Sequence, residues 1–138
     1  MKTNIVIIGD DEKINKAVGA NLAVCLETNF LDFDGYCEYI NCVNREDVCM
    51  TQGKRQYNEM QKKALPHMQD FCDSVIGFDG KLSRISSVFK MLKDTAYIIC
   101  IADKNKEKYA VYADIWIDRG KKSEKRITNE ILKKLGEL

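Results

Sequence analysis

Residues 4–34 read NIVIIGDDEKINKAVGANLAVCLETNFLDFD. An apolar run, Ile5 to Ile8, stops at Gly9, and a short polar loop, Asp10 to Asn15, follows it. Val18, Leu22, Cys25 and Leu26 then recur at helical spacing, and a second short apolar element, Phe30 to Phe33, carries Asp32 and Asp34. Strand, turn, helix, strand is the opening βαβ unit of an open α/β sheet. The first run is continuous rather than alternating, which predicts a central strand buried on both faces.

The rest of the chain repeats this alternation. The helix spans Lys13 to Leu26, and the second strand Asn29 to Asp34. A short helix is expected over Gly35 to Asn41, with Tyr36 and Ile40 on one face. Asn44 is a good N-cap for a further helix that ends near Gly53, with Glu46 and Asp47 favouring its first turn. A longer helix runs from about Arg55 to Asp70, striped by Tyr57, Met60, Ala64 and Met68, and Pro66 bends or shortens its last turn. The third strand is Ser74 to Phe78, closed by the turn signal Asp79-Gly80. Leu82, Ile85, Val88, Phe89 and Leu92 then make an amphipathic helix. The fourth strand is Ala96 to Ala102, fully apolar around Cys100. Lys108 to Tyr112 form one helical turn before a fifth strand, Asp114 to Asp118, centred on Trp116. Ser123 caps the last helix, lined by Ile127, Ile131, Leu132 and Leu135. Such alternation implies a parallel sheet covered on both faces. Ligands in these folds bind beyond the C-terminal strand ends. Here those ends are Gly9 to Glu12, Asp32 to Asp34, Phe78 to Gly80 and Ala102 to Lys104.

The chain has 138 residues, the length of one domain, so residues 1–138 are read as a single α/β unit. Its 45% hydrophobic content supports a packed core rather than disorder. Basic and acidic residues balance at 22 to 21, which argues against a general nucleic-acid or membrane-surface binder. No apolar run reaches the length of a membrane span, and the apolar start is too short for a signal peptide, so a cytoplasmic protein is expected. The six cysteines include no CxxC pair and no zinc spacing. Cys25 and Cys100 sit in apolar runs and read as small core residues. Cys37, Cys42 and Cys49 read as reduced thiols or as a redox or metal cluster, with His67 as the one histidine to assist.

With these elements in order, the chain resembles the shikimate kinase family of small P-loop kinases. Val6 to Gly9, Val18-Gly19, Leu22-Ala23, Leu26, Phe30, Asp32 and Asp34 follow the family's opening without a gap. Gly53 with Tyr57 and Glu59 is similar to its GxxxFRE helix start. Ser74-Val75-Ile76 before Asp79-Gly80 resembles the strand leading to its glycine triplet. Tyr109, Ala113-Asp114-Ile115 and Ile117-Asp118 resemble its YxxxADIxxDT segment, and Ile131-Leu132 with Leu135 fit its end. The resemblance implies a three-layer α/β/α P-loop fold with a five-stranded parallel sheet. It also implies ATP and Mg²⁺ as cofactors if the family activity survives. It gives Asp32 a place near Mg²⁺, and gives Asp34 and Gly80 contacts to a hydroxylated substrate.

The departures from that pattern fall on the chemistry. A phosphate loop needs GxxxxGK[ST], glycines so that backbone N–H groups wrap the phosphates and a lysine for charge. Position by position, Gly9 stands, the second glycine is Ile14, the lysine is Asn15 and the Mg²⁺-binding hydroxyl is Lys16. Asp10, Asp11 and Glu12 place carboxylates where phosphate oxygens would lie. One such repulsion at about 5 Å and an effective dielectric near 20 is worth roughly 3 kcal/mol. Lys16 is a poor replacement, because one step around a helix turns a side chain by about 100°. Lys13 is left as an alternative cation, should its side chain reach inward. The GxxxFRE arginine falls at Asn58, the glycine triplet keeps only Gly80, and the arginine before Tyr109 falls at Asn105. The arginine-bearing lid expected after the fourth strand is replaced by Asp103 to Lys108.

These losses lead to the expectation of a protein that no longer binds ATP or transfers phosphoryl groups, with Asp34 as the family-equivalent remnant of a catalytic site. A binding, regulatory or oligomeric role follows, through a protein partner or self-association. The alternatives are an active small-molecule kinase built on Lys13, Asp32 and Asp34, or an interaction module using the surface a lid would cover. Lys104, Lys106 and Lys108 read as a solvated turn or a phosphate contact. Lys121, Lys122, Lys125 and Arg126 read as an exposed helix start or a patch for an acidic partner. Trp116 reads as core, and His67 as the polar end of a helix.

Overall fold

In the first strand, β1 (Asn4–Gly9), alternate side chains part to opposite faces of the sheet. Val6 and Ile8 enter one core layer, and Ile7, with Ile5 at its edge, enters the other. The computed structural model that shows this describes residues 3–78, 89–90, 92–104 and 106–138. The other strands are β2 (Asn29–Asp32), β3 (Ser74–Gly77), β4 (Ala96–Ile101) and β5 (Ile115–Ile117). They form one all-parallel sheet in the order β2-β3-β1-β4-β5, with β1 central as its continuous apolar run requires. β4 divides as β1 does, with Ile98 and Cys100 on one face and Ile99 and Ile101 on the other.

Helices cover both faces. α1 (Glu12–Cys25) and the last helix, which spans Glu124–Gly136, lie over Ile7, Ile99, Ile115 and Ile117. α1 approaches closely because Gly19 meets the Phe30 ring; a Cβ there would lie 2.6 Å from that ring. The opposite layer is built by α2 (Phe33–Asn41) and α4 (Lys54–Ala64), with α3 (Arg45–Thr51) packed on α4. α5 (Lys106–Ala110) contributes Tyr109 to the same layer, and the last helix is α6. A chain of aromatic contacts crosses this layer: Phe33 to Phe78 at 4.6 Å, Phe78 to Phe89 at 6.1 Å and Phe89 to Tyr112 at 5.8 Å. Each such pair contributes about 1 kcal/mol beyond area burial. Trp116 packs half-buried against this layer and donates from Nε1 to Asp118.

The expected caps form: Asn44 accepts from the Glu46 N–H, and Ser123 from the Arg126 N–H. Three expectations are corrected. Asp34 belongs to a helix rather than a strand end, because β2 stops at Asp32 and α2 begins at Phe33. The long helix after Gly53 divides, since α4 ends at Ala64 and a 3-10 turn, Leu65–Asp70, carries the chain past Pro66, whose ring and missing N–H oppose an α-helical turn. Cys25 is exposed rather than core, with Val24 and Leu26 beside it: helical spacing persists there, but the packed neighbour has ended. Cys100 is buried as expected. The turn Asp79-Gly80, the helix positions Leu82, Ile85 and Val88, and Asn105 lie outside the described residues.

Candidate functional site

The C-terminal ends of β1 and β2 meet a cluster of charged side chains from α1, α2 and α3, with two uncharged polar side chains from α4. The turn after β1 is fixed from below. Gly9 has φ +155, and a Cβ on it would stand 2.1 Å from the Ile101 carbonyl oxygen, so glycine is required by the close approach of β4. Asp10 accepts a hydrogen bond from the Tyr109 hydroxyl at 2.9 Å, joining the turn to α5. Burial, with the Asp10 charge nearby, pushes the Cys100 thiol up to about 12, so it is an inert core group. Asp11 is the N-cap of α1, its Oδ1 accepting from the N–H groups of Lys13 at 3.1 Å and Ile14 at 3.3 Å. The helix's free amides thus receive an anion from the chain itself.

Asn15 is fully buried. Its Nδ2 donates to the Gly9 carbonyl at 3.2 Å and to the Phe78 carbonyl at 2.9 Å, tying α1 to the ends of β1 and β3. Its Oδ1 has no hydrogen-bond partner among the described residues. Lys16 does reach inward: its Nζ lies 2.9 Å from Glu12, 3.3 Å from Asp32 and 4.0 Å from Asp34. Burial would lower its pKa, but the hydrogen bond to Glu12 and the charges of Asp32 and Glu12 raise it overall. Burial raises Glu12, and hydrogen bonds with Lys16 and Asp34, aided by the Lys16 and Arg45 charges, outweigh it and lower the carboxyl.

Asp34, almost fully buried in the first turn of α2, is the hub. Its Oδ1 accepts from the Tyr57 hydroxyl at 3.1 Å and from Gln61 Nε2 at 2.8 Å. Its Oδ2 lies 3.5 Å from Arg45 Nη1, which is also 3.5 Å from Glu12. The Arg45 guanidinium sits 5.5 Å from the centre of the Tyr57 ring. Burial, then the Asp34 charge, pushes the Tyr57 phenol well above its ordinary value. Asp34 is therefore pinned from α1, α3 and α4 at once. Next to it, a cleft of about 210 Å³ opens between α3 and α4, bordered by Arg45, Cys49, Lys54, Tyr57, Asn58 and Gln61.

Of the residues singled out in the sequence, Gly9, Asn15, Lys16, Asp32 and Asp34 come together here. The expectation for the two lysines is reversed: Lys13 is exposed, with its backbone N–H on Asp11, and Lys16 is the one that turns inward, drawn by the carboxylates of Glu12 and Asp32. Gly80 lies outside the described residues. His67 accepts from or donates to the Tyr36 hydroxyl at 2.9 Å, away from the cluster. Lys104 is exposed, and Lys108 sits over the Tyr109 ring at 5.8 Å. Among the described residues no group of three His, Cys, Asp or Glu side chains is placed to hold a metal ion, Asp32 having Lys16 as its close neighbour. Arg45, Tyr57 and Gln61 were not singled out as site residues. The signals were Arg45 next to the Asn44 cap and the i,i+4 pair Tyr57/Gln61, which share a helix face.

No protein-family profile matches the chain, and no curated protein is significantly similar to it in sequence. Solved structures do match. A shikimate kinase from Aquifex aeolicus superposes with a TM-score of 0.80 at 17% identity, covering 96% of each chain. That of Acinetobacter baumannii, solved in complex with shikimate, gives 0.85 at 14% identity over 99% of this chain and 94% of the other. That of Bacteroides thetaiotaomicron gives 0.77 at 17% identity over 99% of both. The five-stranded parallel sheet with helices on both faces is thus the P-loop fold of the shikimate kinases, and the chain has a shikimate-kinase-like fold.

Proposed function

We propose that this shikimate-kinase-like chain has lost ATP binding and phosphoryl transfer and keeps its fold for a binding, regulatory or oligomeric role. The observation that carries the reading is Asn15. Where a phosphate loop needs a lysine aimed at its ligand, Asn15 points inward and is consumed by the carbonyls of Gly9 and Phe78. Its neighbours fit the same account. The Asp11 carboxylate takes the helix amides that would hold a phosphate. Lys16 and Arg45 are spent on Glu12, Asp32 and Asp34, two cations among three carboxylates. A triphosphate brings more negative charge to a site already in excess of it, and a lysine stands at Asp32 Oδ2 where Mg²⁺ would have to sit, although the buried Oδ1 has no hydrogen-bond partner among the described residues. The residues present do not fit the nucleotide and its metal.

Calorimetry of ATP and ADP, with and without Mg²⁺, tests this directly. No binding is expected at millimolar nucleotide, no ATP-dependent phosphorylation of shikimate, and no thermal shift, where a ligand at 100 times its dissociation constant would add about 2.7 kcal/mol. Micromolar, Mg²⁺-dependent binding overturns the proposal. A second reading, an active kinase for a small hydroxylated metabolite, is favoured by one observation: Lys16 reaches Asp32 and Asp34 although it sits one position from the lysine of a phosphate loop. It requires ATP-dependent turnover that Asp34→Asn abolishes.

A further inference from the structure

Away from the ionic cluster, an open groove of about 720 Å³ runs between α2 and α3. Tyr39, Val43 and Val48 supply its apolar lining, and its charged lining is wholly acidic, Glu38 and Asp47. Tyr39 is 81% exposed, an aromatic ring left in solvent beside two carboxylates. A second feature has the opposite charge. Lys121, Lys125 and Arg126 stand exposed at the start of α6 and pair with no described residue, whereas Lys122 is held by Glu130 at 2.8 Å. Cations in a first helical turn oppose the helix dipole, so Lys125 and Arg126 do not serve the stability of α6.

These two features cannot meet within one molecule. The groove belongs to helices over the β2 edge of the sheet, and the basic segment opens the helix that packs on β5, the other edge, and on the other face. We propose that the groove receives the basic start of α6 from a second copy of this chain. Lys121 and Lys125 lie opposite Glu38 and Asp47, and the Arg126 guanidinium stacks on the Tyr39 ring. Such a contact is head-to-tail, so it builds closed rings or open chains rather than a two-fold dimer. It stands whether or not the chain binds nucleotide.

Sedimentation velocity on the full chain, across concentration and salt, tests it. In low salt the average mass is expected to climb past twice the monomer with concentration. It should return to the monomer near 1 M salt, where screening shortens the Debye length to about 3 Å. Asp47→Lys and Lys125→Glu should each be monomeric. Their equimolar mixture should associate again, because the unaltered groove of the Lys125→Glu chain then meets the unaltered tail of the Asp47→Lys chain, and the two reversed charges face each other in the opposite contact. Both positions are exposed, and a single cooperative melting transition with the wild-type circular dichroism spectrum verifies that each variant is folded. A wild-type monomer at every concentration overturns the proposal, including one that captures an added Lys/Arg-rich peptide and so assigns the groove to another partner. Association that survives both reversals also overturns it, by placing the contact elsewhere.

Discussion

Asn15 concentrates the difference between this turn and a phosphate-binding one. A buried amide making two hydrogen bonds to strand-end carbonyls is a structural residue, and each bond contributes about 1 kcal/mol net. Asn15→Lys therefore lowers stability by about 2 kcal/mol in urea denaturation and, on the function proposed above, confers no nucleotide binding in calorimetry. The carboxylate of Asp11 still occupies the helix amides, and Ile14 still stands where the loop needs a glycine. Asp34 is the other decisive residue. It was legible as a chemically interesting carboxylate, but not as a hub, because Arg45, Tyr57 and Gln61 approach it from elements distant in sequence. Asp34→Asn leaves Arg45 facing a neutral, nearly buried group and is expected to cost roughly 3 kcal/mol, measured by the same denaturation.

At the scale of elements, α1 begins where it does because Asp11 caps it, and that cap coincides with the turn where a ligand would sit. Removing it with Asp11→Ala is expected to cost about 1 kcal/mol, read as a lower urea midpoint with an unchanged slope. The Ser123 cap of α6 and the Asn44 cap of α3 were readable in the sequence, since capping is set by residues two or three apart, whereas Asp11 was read there only as a carboxylate in the turn. The division of the helix after Ala64 was signalled by Pro66. The start of α2 at Phe33 was not signalled, because Phe33 is apolar enough to extend a strand and becomes helical to bury its ring on Phe78.

For the whole molecule, the ionic cluster ties α1, β2, α2 and α3 together and makes stability depend on pH at both ends. Glu12 has an ordinary value of 4.5 that is lowered in the fold. Its contribution is complete above that value and is lost as pH falls through the lowered one. Lys16 and Tyr57 are raised above their ordinary 10.5 and 10.0, so their contributions are complete below about 10 and are lost as pH rises further. Urea midpoints taken across pH should therefore show a plateau between about 5 and 10 with a fall on either side. Glu12→Gln should flatten the acid limb and leave the Tyr57 part of the alkaline limb in place.

The sequence alone determined the alternation of strands and helices, the central burial of β1 and β4, and the caps. All of these depend on residues within a turn or two of each other, where periodicity and hydrogen-bonding capacity act directly. It also determined that the turn after Gly9 departs from the phosphate-loop pattern. Only the tertiary structure decided that Asn15 turns inward and that Lys16 reaches Asp32 and Asp34. It also decided that Arg45 closes the cluster from α3 and that the acidic groove and the basic start of α6 lie at opposite edges of the sheet. Those facts depend on the order β2-β3-β1-β4-β5, which brings segments far apart along the chain into contact. Local spacing carries no record of which distant charge a side chain will meet.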